Sequence, residues 1–338
     1  MALKWKLAII SHGDLDGVAG AAVYLLYARS VLKLRDADYV IQFTEPYKLH
    51  KVLPQYLKAT QRLVIIDLGL NTDTFQNIVN TIARIGRGRI IEWYDHHVWH
   101  DDWIATLQAH GVKLYVDRST CATGVVARYA PRELNTKSNS FEEFAQKLIR
   151  AVCAADLWTW DDPLAPKLYR VALRYRGRRG DKWRRHLVNK FLEGLLWWDE
   201  LNEALNEYLV REFKGVSYSL KNTIVKNING YKVAFTLKPP GPPAAGIIAS
   251  ILSSRMAVDV VVVVHKRGRG LSLRSTRVNV QEIAKRLGGG GHPRAAGAPL
   301  KLNPLLSLAS LLYPRIRLNH AVKLVEKALT ELKELKRS

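Results

Sequence analysis

Carboxylate and imidazole side chains follow three short apolar runs that are typical of buried strands. The side chains that come after these runs are His12, Asp14, Asp16, Asp67, Asp95, His96 and His97. In open α/β sheets the ligand crevice lies outside the carboxyl ends of the strands. A lone Asp-x-Asp or a lone histidine is more often structural. The whole set at strand ends predicts a centre for divalent metal ions.

A further carboxylate, Asp156, follows a predicted helix that ends near Ala154. With it the set holds four carboxylates that could bind metal and one or two imidazoles, which suit Mn²⁺ or Mg²⁺ better than thiolate-bound Zn²⁺. Two such ions can activate water and hold a phosphate group for in-line attack. The predicted cofactor is therefore a pair of Mn²⁺ or Mg²⁺ ions, and the predicted chemistry is phosphoester hydrolysis.

A second group of candidate residues lies near the carboxyl end of the chain. Four successive glycines, Gly288 to Gly291, are followed directly by His292, and Arg274 lies on a predicted strand. Glycine allows the backbone to approach an anion closely, and arginine can bind a phosphate group through two nitrogens. A glycine run is often only a mobile loop. Its position before a histidine predicts instead the far wall of a substrate cleft.

The order of the predicted elements indicates how these residues are positioned. Strand and helix patterns alternate through the first 130 residues, which predicts an α/β fold with a doubly wound, mostly parallel sheet. The pattern is helical and basic from Pro163, and a second, smaller α/β pattern begins near Thr223. We therefore predict a catalytic metal-binding domain at 1–160, a helical linker region at 161–222 and a substrate-binding domain at 223–338, with the active-site cleft between the two α/β domains.

The chain is strongly basic, with 52 Lys and Arg against 30 Asp and Glu and a formal charge of +22. This balance favours polyanionic partners, although a heat-adapted protein rich in ion pairs can reach a similar value. The densest cluster extends from Arg170 to Lys190 and contains Tyr175 and Trp183. Aromatic side chains beside cations are typical of single-strand binding, and the alternative is a solvated helix face.

Two cysteines, Cys121 and Cys153, have no metal-type spacing, which we interpret as evidence against a disulfide framework and for a reducing compartment. The amino terminus lacks a signal-peptide pattern, and no apolar run approaches the roughly 20 residues of a membrane span. The predicted location is the cytoplasm, without a membrane partner.

These motifs resemble those of the DHH phosphoesterase family with its carboxyl-terminal DHH-associated domain. The run Ser11 to Gly17 is similar to the first family motif, Asp67 to the second, Asp95-His96-His97 to the third and Asp156 to the fourth. Ser272 to Ser275 and Gly288 to His292 are similar to motifs of the associated domain. The family includes RecJ-type exonucleases, oligoribonucleases with pAp phosphatase activity and cyclic-dinucleotide phosphodiesterases.

The resemblance implies a role for each matching residue. The implied metal ligands are His12, Asp14, Asp16, Asp67, His96 and Asp156, with Asp67 between the two ions. The implied partner of His96 is Asp95, and the implied contact to the scissile phosphate is His97. The implied substrate-binding residues are Arg274, Ser275, Gly290, Gly291 and His292.

We therefore expect a metal-dependent exonuclease that hydrolyses single-stranded DNA or RNA, or short oligonucleotides, to nucleoside monophosphates. A 3′→5′ direction is favoured over a RecJ-like 5′→3′ direction. One alternative is a small-nucleotide phosphoesterase that acts on pAp or a cyclic dinucleotide. Another is a binding protein without catalysis, which the complete set of ligand residues disfavours. A homodimer and a replication or repair partner are left open.

Overall fold

The computed structural model of the protein describes residues 3–135, 142–268 and 270–332. The chain forms two compact units, Met1–Leu205 and Asn206–Ser338. Each unit has its own sheet and its own hydrophobic core. The α/β fold class expected from the sequence is confirmed.

The first unit is built on a five-stranded parallel sheet with the order β2-β1-β3-β4-β5. The strands are β1 (Trp5–His12), β2 (Tyr39–Thr44), β3 (Thr60–Ile66), β4 (Ile90–Asp95) and β5 (Val112–Val116). Runs of apolar residues form these strands because both faces of the sheet are covered. The chain leaves β1 toward β2 on one side and returns to β3 on the other. The carboxyl ends of β1 and β3 therefore define a topological switch point, where α/β sheets bind ligands.

Helices cover both faces of this sheet, so the sheet is doubly wound as predicted. The helices of the first unit are α1 (Leu15–Val31), α2 (Leu49–Ala59), α3 (Thr72–Ile85), α4 (Asp101–Ala109), α5 (Ala122–Glu133), α6 (Glu142–Asp156), α7 (Ala165–Ala172) and α8 (Gly177–Leu192). One core packs α1 and α5 to α8 against the sheet and includes Tyr24 and Phe191. The other core packs α2, α3 and α4 on the opposite face and includes Leu53 and Trp93.

The second unit contains a six-stranded mixed sheet with the order β10-β11-β9-β8-β7-β6. The strands are β6 (Thr223–Ile228), β7 (Tyr231–Lys238), β8 (Val260–His265), β9 (Gly270–Arg274), β10 (Gly290–Gly291) and β11 (Ala295–Pro299). Asn229 and Gly230, both with positive φ, form the predicted hairpin turn between β6 and β7. The β7–β8 pair is parallel, and the other described pairs are antiparallel.

The remaining helices are α9 (Asp199–Lys221), α10 (Ala245–Met256), α11 (Val280–Arg286), α12 (Pro304–Leu312) and α13 (Arg315–Thr330). The boundary between the two units falls within α9. On one face of the second sheet the core includes residues of α11 and α13, and on the other face it includes residues of α10. Among the residues that the structure describes, no helix has the length and apolar character needed to cross a membrane.

The interpretation of the two cysteines is wrong, because Cys121 and Cys153 form a disulfide. Cys121 lies at the start of α5 and Cys153 lies near the end of α6, with their Cα atoms 5.1 Å apart. The two helices pack side by side in one core, which brings the sulfur atoms together although 32 residues separate them in the chain. A spacing rule for metal sites contains no information on this packing.

Candidate metal centre

The register of the sheet brings the strand-end residues together. Ser11 on β1 pairs with Ile66 on β3, and Ile66 pairs with Tyr94 on β4. The next residue of each strand is therefore His12, Asp67 or Asp95, and these three leave the sheet at the same level. The metal centre predicted from the strand ends depends on this alignment.

The turn from β1 into α1 places the carboxylate of Asp14 beside His12. Asp14 caps α1 by accepting a hydrogen bond from the Gly17 amide at 3.1 Å, and its other oxygen lies 2.9 Å from Nδ1 of His12. A Cβ atom on Gly17 would lie 2.3 Å from the His12 carbonyl oxygen, so glycine is needed for this tight turn. The helix start thereby holds His12 and Asp14 side by side.

Asp16 is buried at the amino terminus of α5. Its two oxygens accept hydrogen bonds from the amides of Ala122 and Thr123 at 2.7 and 2.8 Å. Unpaired amides at a helix start favour a negative charge. The α5 terminus therefore fixes the orientation of Asp16, and Oδ2 also lies 3.9 Å from Nε2 of His96.

Asp67 lies between two groups of possible ligands. Its Oδ2 atom is 3.4 Å from Nδ1 of His12, and its Oδ1 atom is 3.5 Å from Nε2 of His96. The residue is buried and has a φ of +56°, a left-handed conformation that asparagine and aspartate adopt more readily than most side chains. One carboxylate is thus presented to both sides of the centre.

The candidate ligand atoms form three overlapping groups, within each of which all atoms lie within 4.8 Å of one another. The groups are His12 with Asp14 and Asp67, Asp67 with His96 and His97, and Asp16 with His96 and Asp156. Asp156, the last residue of α6, lies 3.5 Å from Nε2 of His96. All six residues predicted as metal ligands are therefore brought together in the first unit.

Asp95 has partners other than the one expected. Its Oδ1 atom lies 2.8 Å from Nδ1 of His97, and its Oδ2 atom accepts a hydrogen bond from Nε1 of Trp99 at 2.5 Å. Asp95 therefore orients His97, whereas we expected it to orient His96. The reason is geometric: Asp95 is fully buried at the end of β4, and the chain turns so that His97 and Trp99 reach its two oxygens.

Burial and mutual repulsion shift the pKa values of the carboxylates in the candidate centre. Burial, together with the charges of Asp14 and Asp16, raises the pKa of Asp67 well above its usual range. Burial, together with Asp16 and Asp67, does the same to the pKa of Asp156. Burial opposes protonation of His12, but the nearby carboxylates of Asp14, Asp67 and Glu45 together outweigh burial and raise the His12 pKa. Cations between these groups would relieve the repulsion.

The donor set fits divalent cations. Oδ2 of Asp67 is buried and has no hydrogen-bond partner among the described residues, which is costly for a polar atom unless a ligand satisfies it. Carboxylate oxygens and imidazole nitrogens from the ends of β1, β3 and β4 converge on the candidate centre. Such mixed oxygen and nitrogen sites suit Mn²⁺ or Mg²⁺.

Two further residues contact the centre and were missed in the sequence. Glu45 lies directly after β2, and its carboxylate is 3.3 Å from Nε2 of His12. The strand-end pattern that identified Asp67 could have identified Glu45 too. Arg184 on α8 donates from Nε to the carbonyl oxygen of Gly13 at 2.5 Å, and no local pattern marks it.

The predicted substrate-binding residues lie in the second unit, and most have structural partners. Ser275 is buried; its hydroxyl donates to the Asp259 carbonyl oxygen and accepts from the amides of Arg277 and Val278. Arg274 donates to the carbonyl oxygens of Leu273 and Ala296.

The glycine run forms a strand and a turn. Gly290 and Gly291 make up β10 and pair with β11. His292 is exposed and lies in the turn that follows. A Cβ atom on Gly289 would lie 2.0 Å from the Gly297 carbonyl oxygen, so this glycine is needed for close packing of two backbones.

Comparison with known proteins agrees with this architecture. Residues 230–331 match the DHHA1 domain family. None of the curated proteins matches the sequence.

Among solved structures, RecJ from Thermus thermophilus, in complex with Mn²⁺, is 17% identical with a TM-score of 0.57, and the match covers 94% of this chain and 52% of the RecJ chain. The pGpG-specific phosphodiesterase PggH from Vibrio cholerae is 16% identical with a TM-score of 0.53, and the match covers 92% of this chain and 99% of the PggH chain. An exopolyphosphatase-related protein from Bacteroides fragilis is 14% identical with a TM-score of 0.59, and the match covers 97% of this chain and 92% of that protein. These likenesses show a shared fold.

The fold is shared with these structures, and the residues of the candidate centre could hold divalent metal ions. The match over residues 230–331 identifies a DHHA1 domain in the second unit, and the motifs that end β1, β3 and β4 resemble those of the DHH phosphoesterases.

Proposed function

We propose that the protein is an exonuclease that hydrolyses phosphodiester bonds in single-stranded nucleic acid or short oligonucleotides and releases nucleoside monophosphates. The observation that carries this proposal is the position of Asp67, whose two oxygens face two separate groups of ligands. A shared carboxylate of this kind is what a two-ion phosphoesterase requires.

The residues of the first unit divide into two sets around Asp67. His12 and Asp14 would hold one divalent ion, and Asp16, His96 and Asp156 would hold the other. Bound ions supply Lewis acidity toward the phosphate group and lower the pKa of water. The RecJ structure named above contains Mn²⁺, which favours that ion here.

His97 is the proposed contact to the scissile phosphate. Burial opposes protonation of its imidazole, but the hydrogen bond and charge of Asp95, together with the charge of Asp67, outweigh burial and raise the His97 pKa. A protonated imidazole can donate a hydrogen bond to a phosphate oxygen. Asp95 and Trp99 would act through His97 by holding it in one orientation.

The charge of the chain supports a polymeric substrate. A net charge of +22 favours a ligand with several phosphate groups, whereas a small nucleotide needs only a local positive pocket. We propose that the second unit captures a strand end through Arg274, Ser275, Gly290, Gly291 and His292, and that degradation runs 3′→5′. The opposite direction, as in a RecJ-like enzyme, is the alternative.

A small-nucleotide phosphoesterase is the second candidate function. The fold is shared with a pGpG-specific phosphodiesterase along nearly the whole of that chain. The metal centre would perform the same chemistry on pAp or on a cyclic or linear dinucleotide. Substrate length therefore distinguishes the two candidates.

The test is an assay with Mn²⁺ and end-labelled single strands of DNA and RNA, from dinucleotides upward, alongside pAp and cyclic dinucleotides. Stepwise shortening of long strands is the expected result, and the position of the label gives the direction. Cleavage confined to dinucleotides, pAp or cyclic substrates would contradict the exonuclease and support the second candidate. Failure to hydrolyse any of these substrates with Mn²⁺ or Mg²⁺ would contradict both.

A further inference from the structure

A cationic cavity lies within the second unit, apart from the residues considered so far. Its volume is about 490 Å³, and its walls are the second half of α9, the loop 239–242 and the turn after β8. Four cations line it, and these are Arg211, Lys214, Lys266 and Arg267. No carboxylate is present among the described residues of the lining. The cavity therefore favours an anionic ligand.

The proline-rich wall of the cavity is built into the fold. A Cβ atom on Gly215 would lie 2.3 Å from the Pro242 carbonyl oxygen, so α9 packs directly against the loop. The buried Lys238 donates from its ammonium group to the carbonyl oxygens of Pro239 at 3.0 Å and Gly241 at 2.5 Å. These contacts hold the loop in place and leave proline rings at the cavity surface.

The cavity also contains an aromatic surface. Tyr218 is half-buried, and the ammonium group of Lys266 lies 4.9 Å from the centre of its ring. Arg211, Lys214 and Tyr218 are spaced by three and four residues along α9, which places them on one helix face. A phenol ring beside cations is the combination that binds a stacked base and its adjacent phosphate groups.

We propose that this cavity is a binding site for single-stranded nucleic acid, with phosphate groups on Arg211, Lys214 and Arg267 and a base against Tyr218. The choice of ligand rests on the proposed function, which needs a strand to be held. Sites for small molecules enclose their ligand and orient it through a few buried polar groups. Here Arg211, Lys214 and Arg267 are exposed, an arrangement that suits a flexible polyanion.

The test is fluorescence anisotropy with labelled single strands of about twelve nucleotides, in EDTA so that no hydrolysis occurs. The charge-reversal variant is Arg211→Glu with Lys214→Glu, and its matched control is Lys323→Glu with Lys327→Glu on the exposed face of α13. Both double variants change the net charge equally. We expect about a tenfold loss of affinity in the cavity variant and less than about twofold in the control, with the salt slope reduced by about 1.4 in the cavity variant alone.

A second pair of variants tests the aromatic surface. Tyr218→Leu should weaken binding by about fivefold or more, and Tyr218→Phe should bind as the unmodified protein does, because the ring alone supports stacking. Thermal melting of each variant checks that the fold is intact. Equal affinities for the cavity variant and its control, or for the Leu and Phe variants, would overturn the proposal. So would binding of AMP as tightly as the strand, which would make this a mononucleotide site.

The two proposals fail separately. Loss of binding in the cavity variants without any hydrolysis by the unmodified protein would leave the strand-binding site standing and remove the exonuclease. Hydrolysis of strands by the unmodified protein, with unchanged binding in the cavity variants, would support the exonuclease and remove the strand-binding site.

Discussion

Arg184 holds the carbonyl oxygen of Gly13, although 171 residues separate the two in the chain. Gly13 lies between His12 and Asp14, so α8 supports the loop that carries two candidate ligands. The guanidinium group also makes an ion pair with Asp181 at 2.8 Å. A Cβ atom on Gly13 would lie 3.0 Å from the Arg184 guanidinium carbon, so the guanidinium group packs closely against this glycine.

Replacement of this support should weaken the metal centre without destroying the fold. For Arg184→Ala we expect an about 10- to 100-fold loss of Mn²⁺ affinity, as is typical when a residue that orients metal ligands is removed. Isothermal titration calorimetry measures it. Arg178→Ala removes an exposed arginine from the same helix and should leave the affinity unchanged. Equal affinities in the two variants would show that Arg184 does not position the loop.

Asp67 is the residue on which the proposed mechanism depends most. Asp67→Asn keeps a side chain that tolerates positive φ but removes the charge, so the protein should fold while hydrolysis falls by more than about 100-fold. The control is Asp73→Asn, an exposed position in the first turn of α3. The hydrolysis rate of each variant is measured on a short labelled strand, and circular dichroism checks that the fold is intact. Full activity in Asp67→Asn would refute the two-ion scheme.

The pair formed by Asp95 and Trp99 should affect turnover through His97. Trp99→Phe removes the hydrogen bond to Oδ2 of Asp95 but keeps an aromatic ring against Trp93. We expect kcat to fall by roughly threefold to tenfold with little change in KM, which corresponds to about 1 kcal/mol for one hydrogen bond. Trp103→Phe, in the stacked pair with Phe75, is the matched control. A change confined to KM would indicate that the pair shapes binding instead.

The basic cluster around α8 contains one buried aromatic residue and several exposed cations. Trp183 is buried and donates to the Val171 carbonyl oxygen, so it is a core residue and no stacking surface. Arg176, Arg178 and Lys182 are exposed. Reversal of these three to glutamate should weaken long-strand binding and reduce the slope of log affinity against log salt by about 2. An unchanged slope would leave this cluster as a solvated face.

The disulfide between Cys121 and Cys153 should contribute to stability. It closes a loop with a sequence separation of 32 residues, so its removal by Cys121→Ser with Cys153→Ser should lower the free energy of unfolding by about 2–4 kcal/mol. Because α5 holds Asp16 and α6 ends at Asp156, Mn²⁺ affinity should fall as well. Urea denaturation of the oxidised protein, the reduced protein and the serine variant measures the first effect. Coincident unfolding curves would contradict it.

Local patterns were sufficient to predict the first sheet and to place most residues of the candidate metal centre at one edge of it. Asp67 and the Asp95–His97 run follow apolar strands, and a parallel sheet must bring such strand ends to one edge. The support from Arg184 could not be predicted, because it depends on how α8 packs against a distant loop. The partner of Asp95 was misassigned for a related reason: it depends on the turn after β4 and not on the spacing of residues. Trp183 shows that composition alone does not distinguish a core ring from an exposed one.

The position of Asp67 between two groups has a thermodynamic consequence. An ion beside His12 and an ion beside His96 would draw on the same carboxylate charge, so their binding free energies cannot be independent. Occupancy of one position would change the affinity of the other, and linkage would make that effect reciprocal. We expect a titration with Mn²⁺ to show two unequal steps. The concentration of free metal would then set how much of the protein carries both ions, and with it the fraction able to turn over.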